Sequence, residues 1–348
     1  MKAVVLQPNN RLAVEEVPNP RLLRESDVLV RVTTAAICGS DLHAKHGLIP
    51  GLNPGTVIGH EFVGLVEEAG SSVTKLKVGD RVAACPASWC GTCAPCRRGE
   101  TQYCQNGGAW GCGDIIGKGL SGAQAEFIRV AYADNCLCCI PETLSDEQAV
   151  LVGDVFSTGY HAAYEGHIQP GDTVVIFGCG PIGLSALVSA RLFEPRQVVS
   201  VDILANRLVL AKGYGAAVID GSQGEEVARF VREITNGQGA DVVVEAIGNT
   251  GSFLRSLELV RRGGSVSVVG IFPGPVEIPL DVLCHYGIRL STGLGNLSRL
   301  DYLMGLVESG RVDLTPMITH RFDLDRAVEA YDLCENHKDR CLKVLLKP

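Results

Sequence analysis

The stretch Asp172–Phe193, DTVVIFGCGPIGLSALVSARLF, decides how the rest of the chain is read. Its first third is an apolar, β-branched run of strand length. At Gly178-Cys179-Gly180-Pro181-Ile182-Gly183 the pattern changes to an amphipathic helix. A G-x-G-x-x-G match alone is weak in a chain with 41 glycines. Here a strand precedes it, a helix follows, and Asp202 ends the next strand 19 positions beyond Gly183. The glycines permit a tight turn and close backbone approach, and the helix N-terminus receives a pyrophosphate. Asp202 would accept hydrogen bonds from adenosine ribose hydroxyls and repel a 2′-phosphate, which favours NAD over NADP. A purely structural strand–turn–helix is the alternative.

Outward from this motif, QVVSVD, AAVID, DVVVEAIG and GSVSVVG alternate with amphipathic stretches such as GEEVARFVREIT and SFLRSLELVRR. Runs this apolar suit strands buried on both faces of a parallel sheet. Residues 155–294 therefore read as a doubly wound α/β domain. Residues 1–154 look different, with strand-like pieces separated by Gly/Pro-rich turns, which indicates a β-rich domain with long loops. The tail, residues 295–348, carries helical patterns and a final strand, CLKVLL, expected to return to the first domain.

Composition narrows the function classes. Hydrophobic residues make up 46% and charged residues 20%, ordinary globular values. A net charge of −8 argues against a dedicated nucleic-acid binder. No 18-residue apolar run is present, so no membrane span is expected. The opening MKAVVLQPNNRLAVEE turns polar too soon for a secretory signal, and a cytoplasmic location is expected.

Fourteen cysteines stand out. In the lobe at about residues 85–110, Cys90, Cys93, Cys96 and Cys104 follow C-x2-C-x2-C-x7-C. Four thiolates so spaced can close around one tetrahedral zinc, with no coordination position left for chemistry. An iron–sulfur cluster is the rival, but the spacing departs from both ferredoxin patterns. Cys136, Cys138 and Cys139 alternate as in a packed strand.

Cys38-Gly39-Ser40-Asp41-Leu42-His43, then Gly59-His60-Glu61, then the four-cysteine lobe, then Gly178–Gly183 occur in one order. That order resembles the zinc-dependent alcohol dehydrogenases of the medium-chain dehydrogenase/reductase family, over essentially the whole chain. The resemblance implies a GroES-like β-rich catalytic domain, interrupted by a Rossmann domain, with the active site in the cleft between them. It implies two zinc ions per subunit, NAD, and a small alcohol, aldehyde or ketone as substrate. It also implies a homodimer or homotetramer, joined through edge strands such as GIRLSTGL.

Matched motif to motif, the catalytic zinc ligands are expected to be Cys38, His60 and Asp154. Many members carry cysteine at the last position and polyol dehydrogenases often glutamate. Three protein ligands leave one position open. An alcohol bound there becomes an alkoxide near neutral pH, and hydride passes to the nicotinamide. Glu61 is expected beside the zinc or as an alternate fourth ligand. Ser40 and His43 are expected to carry the proton outward through a ribose hydroxyl. The resemblance further places Thr158 against the nicotinamide, the backbone of Val269 and Ile271 at its carboxamide, Arg207 beside the adenosine and Lys343 at the pyrophosphate. Trp110 is a candidate pocket wall or an ordinary loop aromatic. Polyol, amino-alcohol and formaldehyde-type dehydrogenases remain alternatives, and from another class a zinc-ribbon regulatory protein.

Overall fold

A strand with no polar alternation needs cover on both faces, and Thr173–Phe177 is buried at every position. In the computed structural model, which describes residues 1–348 apart from the side chain of Val282, this strand is central to a parallel six-stranded sheet. The order across the sheet is Ala217–Asp220, Gln197–Asp202, Thr173–Phe177, Ala240–Glu245, Val260–Val268 and Arg289–Thr292. The chain thus winds outward in both directions. Winding reverses between Thr173–Phe177 and Ala240–Glu245, where open sheets of this kind bind ligands at the strands' carboxyl ends.

Helices Pro181–Arg191, Ala205–Gly213, Gly224–Ile234 and Thr250–Leu259 connect the strands. Phe253 and Leu257 join Val175, Phe177, Val243 and Val266 in one apolar core. The run SFLRSLELVRR, read from sequence as helical throughout, stops being helix at Leu259, and Val260 opens the next strand. A β-branched residue followed by Gly263-Gly264 disfavours continuation of the helix. These elements form the unit Thr158–Gly295.

The second unit comprises Met1–Ser157 and Asn296–Pro348. Its larger sheet runs Ile318–Asp323, Lys343–Lys347, Val28–Ile37, Glu61–Ala69, Arg81–Ala84 and Leu137–Cys139, and Phe127–Val130 also pairs with Val28–Ile37. The C-terminal strand lies antiparallel to Val28–Ile37, with Val344 opposite Ile37. In the strand Leu137–Cys139, Leu137 and Cys138 are buried and Cys139 is exposed. No helix is long and apolar enough to cross a membrane among the described residues.

The glycine-rich turn leaves no room for a side chain at Gly183. A Cβ there would stand 1.8 Å from the Gly178 carbonyl oxygen. Gly183→Ala is expected to destabilise this unit by about 2 kcal/mol through backbone displacement, measured by urea denaturation.

Candidate metal and nucleotide sites

The strand Val28–Ile37 delivers Cys38 to the start of helix Gly39–Lys45. There the Cys38 N–H donates to Asp41 Oδ2 at 2.9 Å, while the Asp41 N–H donates to the Cys38 carbonyl at 3.2 Å. The neighbouring strand Glu61–Ala69 pairs antiparallel, with Ala36 opposite Glu61, so His60 and Glu61 arrive beside Cys38. Asp154 comes from a π-helical turn, Val152–Phe156. Such turns are rare and concentrate at functional sites. Ser157 Oγ holds this one by donating to the Gly153 carbonyl at 2.7 Å and the Asp154 carbonyl at 3.1 Å.

Cys38, His60, Glu61 and Asp154 bring one donor atom each within 4.8 Å of all the others. Cys38 Sγ lies 3.8 Å and His60 Nε2 3.5 Å from Asp154 Oδ2. A tetrahedral ion with bonds of 2.0–2.3 Å sets its ligands about 3.3–3.8 Å apart. The donor set therefore fits a zinc ion. Its chemistry fits as well: a thiol, two carboxyls and an imidazole converge with one lysine beside them.

The His60 ring is oriented from behind. Its Nδ1 lies 3.3 Å from Asp41 Oδ1 and 3.2 Å from Cys112 Sγ. With the proton on Nδ1, Nε2 presents its lone pair to the cluster. Burial alone would lower this imidazole, but Cys112, Asp41 and Asp154 outweigh it and hold His60 well above the ordinary histidine range. Burial, reinforced by Glu61, pushes the Cys38 thiol up.

Lys343 departs from its expected role at a pyrophosphate. Its ammonium, 1% exposed, donates to Glu61 Oε1 at 2.7 Å, Glu61 Oε2 at 2.9 Å and the Ile37 carbonyl at 3.1 Å. An ammonium has three donors, and all are committed. Burial works against the charge, yet Glu61 keeps the lysine above its usual range. Lys343 is thus the counter-ion of Glu61.

Ser40 Oγ lies 3.5 Å from His60 Nε2. His43 follows three residues later on the same helix, so the two share a face. Burial lowers the His43 imidazole, and the charges of His46 and Lys338 add to the effect. The ring is neutral at pH 7 and can accept a proton. Trp110 is fully buried, its Nε1–H donating to the Cys85 carbonyl at 2.9 Å. It is a packing residue.

The second cluster forms where Ala87–Ser88 pairs with Gly108–Ala109 and closes the loop carrying Cys90, Cys93, Cys96 and Cys104. Their sulfurs all lie within 4.8 Å, with Cys93–Cys96 at 3.4 Å and Cys93–Cys104 at 3.9 Å. Four thiolates on one zinc would sit about 3.8 Å apart. Burial opposes ionisation of Cys90, but hydrogen bonds from Thr92 and Asn106 bring it down to about 5. Burial and Cys93 push Cys96 up to about 12.

In the other unit, Asp202 is buried at the end of its strand, accepting from the Cys179 N–H at 2.6 Å and the Leu204 N–H at 2.9 Å. It braces the glycine-rich turn, and a carboxylate's remaining lone pairs can still serve a ribose. Pro181 opens the helix with Ile182 after it, and the Arg207 Nη1 comes within 3.7 Å of a Cβ position on Gly180. Thr158 begins this unit on helix Ser157–Glu165. Val269 and Ile271 line an apolar groove of about 350 Å³ with Phe272, Thr292 and Leu294. The Val269 N–H is committed to the Glu245 carbonyl at 2.9 Å. A groove of about 360 Å³ at Tyr164, His167 and Phe193 contains none of the residues expected to bind nucleotide.

Sequence reasoning missed Asp41, Cys112 and Gln124. Asp41 had a readable signal, an acidic residue three positions after a helix-starting Cys38. Cys112 and Gln124 had none.

Two family models match the chain: the alcohol dehydrogenase GroES-like domain over residues 24–142 and zinc-binding dehydrogenase over residues 181–307. An alcohol dehydrogenase of Cupriavidus necator is 36% identical, covering 100% of this chain and 99% of the relative. Alcohol dehydrogenase TADH from Thermus sp. ATN1 superimposes with a TM-score of 0.94 at 40% identity, covering 100% of this chain and 99% of that one. A protein described as a zinc-binding dehydrogenase from Sinorhizobium meliloti, solved with NADP, gives 0.88 at 31% identity over 100% and 99%. The chain belongs to the zinc-type alcohol dehydrogenases of the medium-chain dehydrogenase/reductase family and is an oxidoreductase.

Removing the partner of a buried charge costs more than the pair itself contributes. Lys343→Met is expected to destabilise the protein by about 3–5 kcal/mol at neutral pH. Without the lysine, the folded-state pKa of Glu61, already raised by burial, rises further above its unfolded value. The deficit is therefore full above that pKa and shrinks as pH falls through it, which denaturation at a series of pH values would read.

Proposed function

We propose that this chain interconverts small primary or secondary alcohols and their aldehydes or ketones, with NAD as hydride acceptor. A catalytic zinc is held by Cys38, His60 and Asp154, and a structural zinc by Cys90, Cys93, Cys96 and Cys104. The convergence of four donor atoms from three separate segments within 4.8 Å carries this reading. Bound there, zinc supplies a Lewis acid that lowers the pKa of a coordinated hydroxyl toward neutrality.

The protein's own groups do the rest. Asp41 and Cys112 keep the proton on His60 Nδ1, so Nε2 remains a donor toward the metal. Lys343 holds Glu61 beside the site and limits its approach to the ion. Ser40 takes the substrate proton and releases it toward His43, whose neutral ring is ready to receive it.

For the cofactor, the Gly178–Gly183 turn cradles the pyrophosphate and Asp202 takes the adenosine ribose. Arg207 flanks that ribose, and the apolar groove at Val269 and Ile271 takes the nicotinamide. The Sinorhizobium protein binds NADP; here the Asp202 carboxylate disfavours a 2′-phosphate. The outer edge of strand Arg289–Thr292, the end strand of its sheet, suits a second copy and a homodimer or homotetramer.

Elemental analysis is expected to find two zinc ions per subunit, and Cys93→Ser one. The two-zinc protein is expected to form NADH from at least one of ethanol, 2-propanol, a butanediol, benzyl alcohol, threonine or sorbitol. One zinc and no NADH with any of them would favour a zinc-binding module instead. Asp202→Ser is expected to shift the kcat/KM ratio toward NADP roughly tenfold, the effect of relieving about 1.4 kcal/mol of charge repulsion.

A further inference from the structure

We propose that Tyr331 and Gln124 are positioning residues of the metal site. A buried hydrogen-bond chain from Tyr331 through Gln124 fixes Asp41, and Asp41 fixes the His60 ring. This rests on the reading of Cys38, His60 and Asp154 as a zinc site.

The chain starts on helix Ala327–Asn336, whose Tyr331 is 1% exposed. Its phenol donates to Gln124 Oε1 at 2.8 Å. Gln124, fully buried, donates through Nε2 to Asp41 Oδ2 at 3.1 Å and to the Ala36 carbonyl at 3.3 Å. The amide can take one orientation only. Turned over, its oxygen would face a carboxylate and a carbonyl, two acceptors with no proton between them. Tyr331 must therefore donate. Burial pushes its phenol well up, and the Asp41 charge adds to this, so the proton stays on the ring oxygen.

With Oδ2 taken by Gln124 and the Cys38 N–H, Asp41 turns Oδ1 toward His60 Nδ1 at 3.3 Å. Gln124 acts a second time, on the backbone ahead of the histidine. Its N–H donates to the Ile58 carbonyl at 3.0 Å, and its Cγ would lie 2.4 Å from a Cβ on Gly59. Gly59 has φ +97°, so both the conformation and the space demand glycine there. One glutamine thus packs against the turn that presents His60 and binds the carboxylate that orients it.

An apolar pair at positions 124 and 331 would fill this interior without the cost of burying polar groups. A polar chain that ends with Asp41 Oδ1 3.3 Å from His60 Nδ1 instead specifies ring orientation. Partners behind metal-ligating histidines typically account for 10–100-fold in metal affinity. Tyr331 stands two hydrogen bonds further out, so the lower end applies.

The test uses the zinc-loaded full chain. Tyr331→Phe removes one oxygen and keeps the packing, and Gln124→Met keeps the length against Gly59 while removing both amide bonds. Zinc release to a chelator is followed in each variant, and the catalytic ion is then replaced by cobalt to read its ligand-field spectrum. Tyr331→Phe is expected to release one of the two ions about tenfold faster, with a shifted cobalt spectrum, and Gln124→Met faster still. The four-cysteine ion, released at the wild-type rate, is the internal control for folding. Two ions leaving Tyr331→Phe at wild-type rates with an unchanged cobalt spectrum would overturn the proposal. A wild-type protein with no zinc beyond the four-cysteine ion would instead overturn the reading on which it rests.

Discussion

The antiparallel register between Val28–Ile37 and Glu61–Ala69 is the constraint on which the proposed metal site depends. Ala36 opposes Glu61, so Cys38, just past one strand's end, meets His60, just before the other's start. Side chains alternate faces along a strand, and a slip of one residue would exchange the positions of His60 and Glu61. The register is irregular between Val32 and Thr34, before the strand reaches the site, so the ends are set locally by Ala35–Phe62 and Ala36–Glu61. The C-terminal strand reinforces the same end, since Val344 opposite Ile37 places Lys343 one residue beyond the cysteine's strand.

Around that junction the protein buries an unusual amount of potential charge. Asp41 and Glu61 are 0–1% exposed, His60 5% and Lys343 1%. Buried ions persist only where each has a partner. The groups sort into two couples with different purposes. Glu61 and Lys343 close on one another and leave the carboxylate little freedom. Asp41 and His60 share a contact that still leaves Nε2 directed at Asp154. The dipeptide His60-Glu61 thereby brings both side chains to the donor cluster, one braced by Asp41 and the other paired with Lys343.

Much of this was legible in the amino-acid sequence, for physical reasons. The β-branched strands from Thr173 onward carry a hydrophobic period that only a doubly covered sheet satisfies, and the C-x2-C-x2-C-x7-C spacing confines four sulfurs to one loop. What escaped was long-range and polar. Gln124 lies 83 residues from Asp41 and 207 from Tyr331, and no local pattern marks a glutamine as a partner of either. The resemblance placed Lys343 at the pyrophosphate, and no local pattern marks the buried Glu61 carboxylate, 282 residues away, that takes its ammonium instead. Trp110 was ambiguous because its loop gives no period, and the Cys85 carbonyl is what draws it inside.

The proposed metal donors and their supports all belong to one unit, but that unit is discontinuous in the chain. Cys38, His60 and Asp154 precede the inserted Thr158–Gly295 unit, whereas Tyr331 and Lys343 follow it. The donor atoms can therefore come near one another before the tail has docked, but the groups that orient His60 and neutralise Glu61 cannot. Until Lys343–Lys347 pairs with Val28–Ile37, Glu61 lacks its counter-ion and Gln124 Oε1 its phenol. Loop-closure entropy grows only slowly with length, so an insertion of this size adds little to the cost of that return. The pairing energy of the final strand and the burial of Val344, Leu345 and Leu346 offset that cost. An oriented donor cluster is thus a consequence of completing the fold.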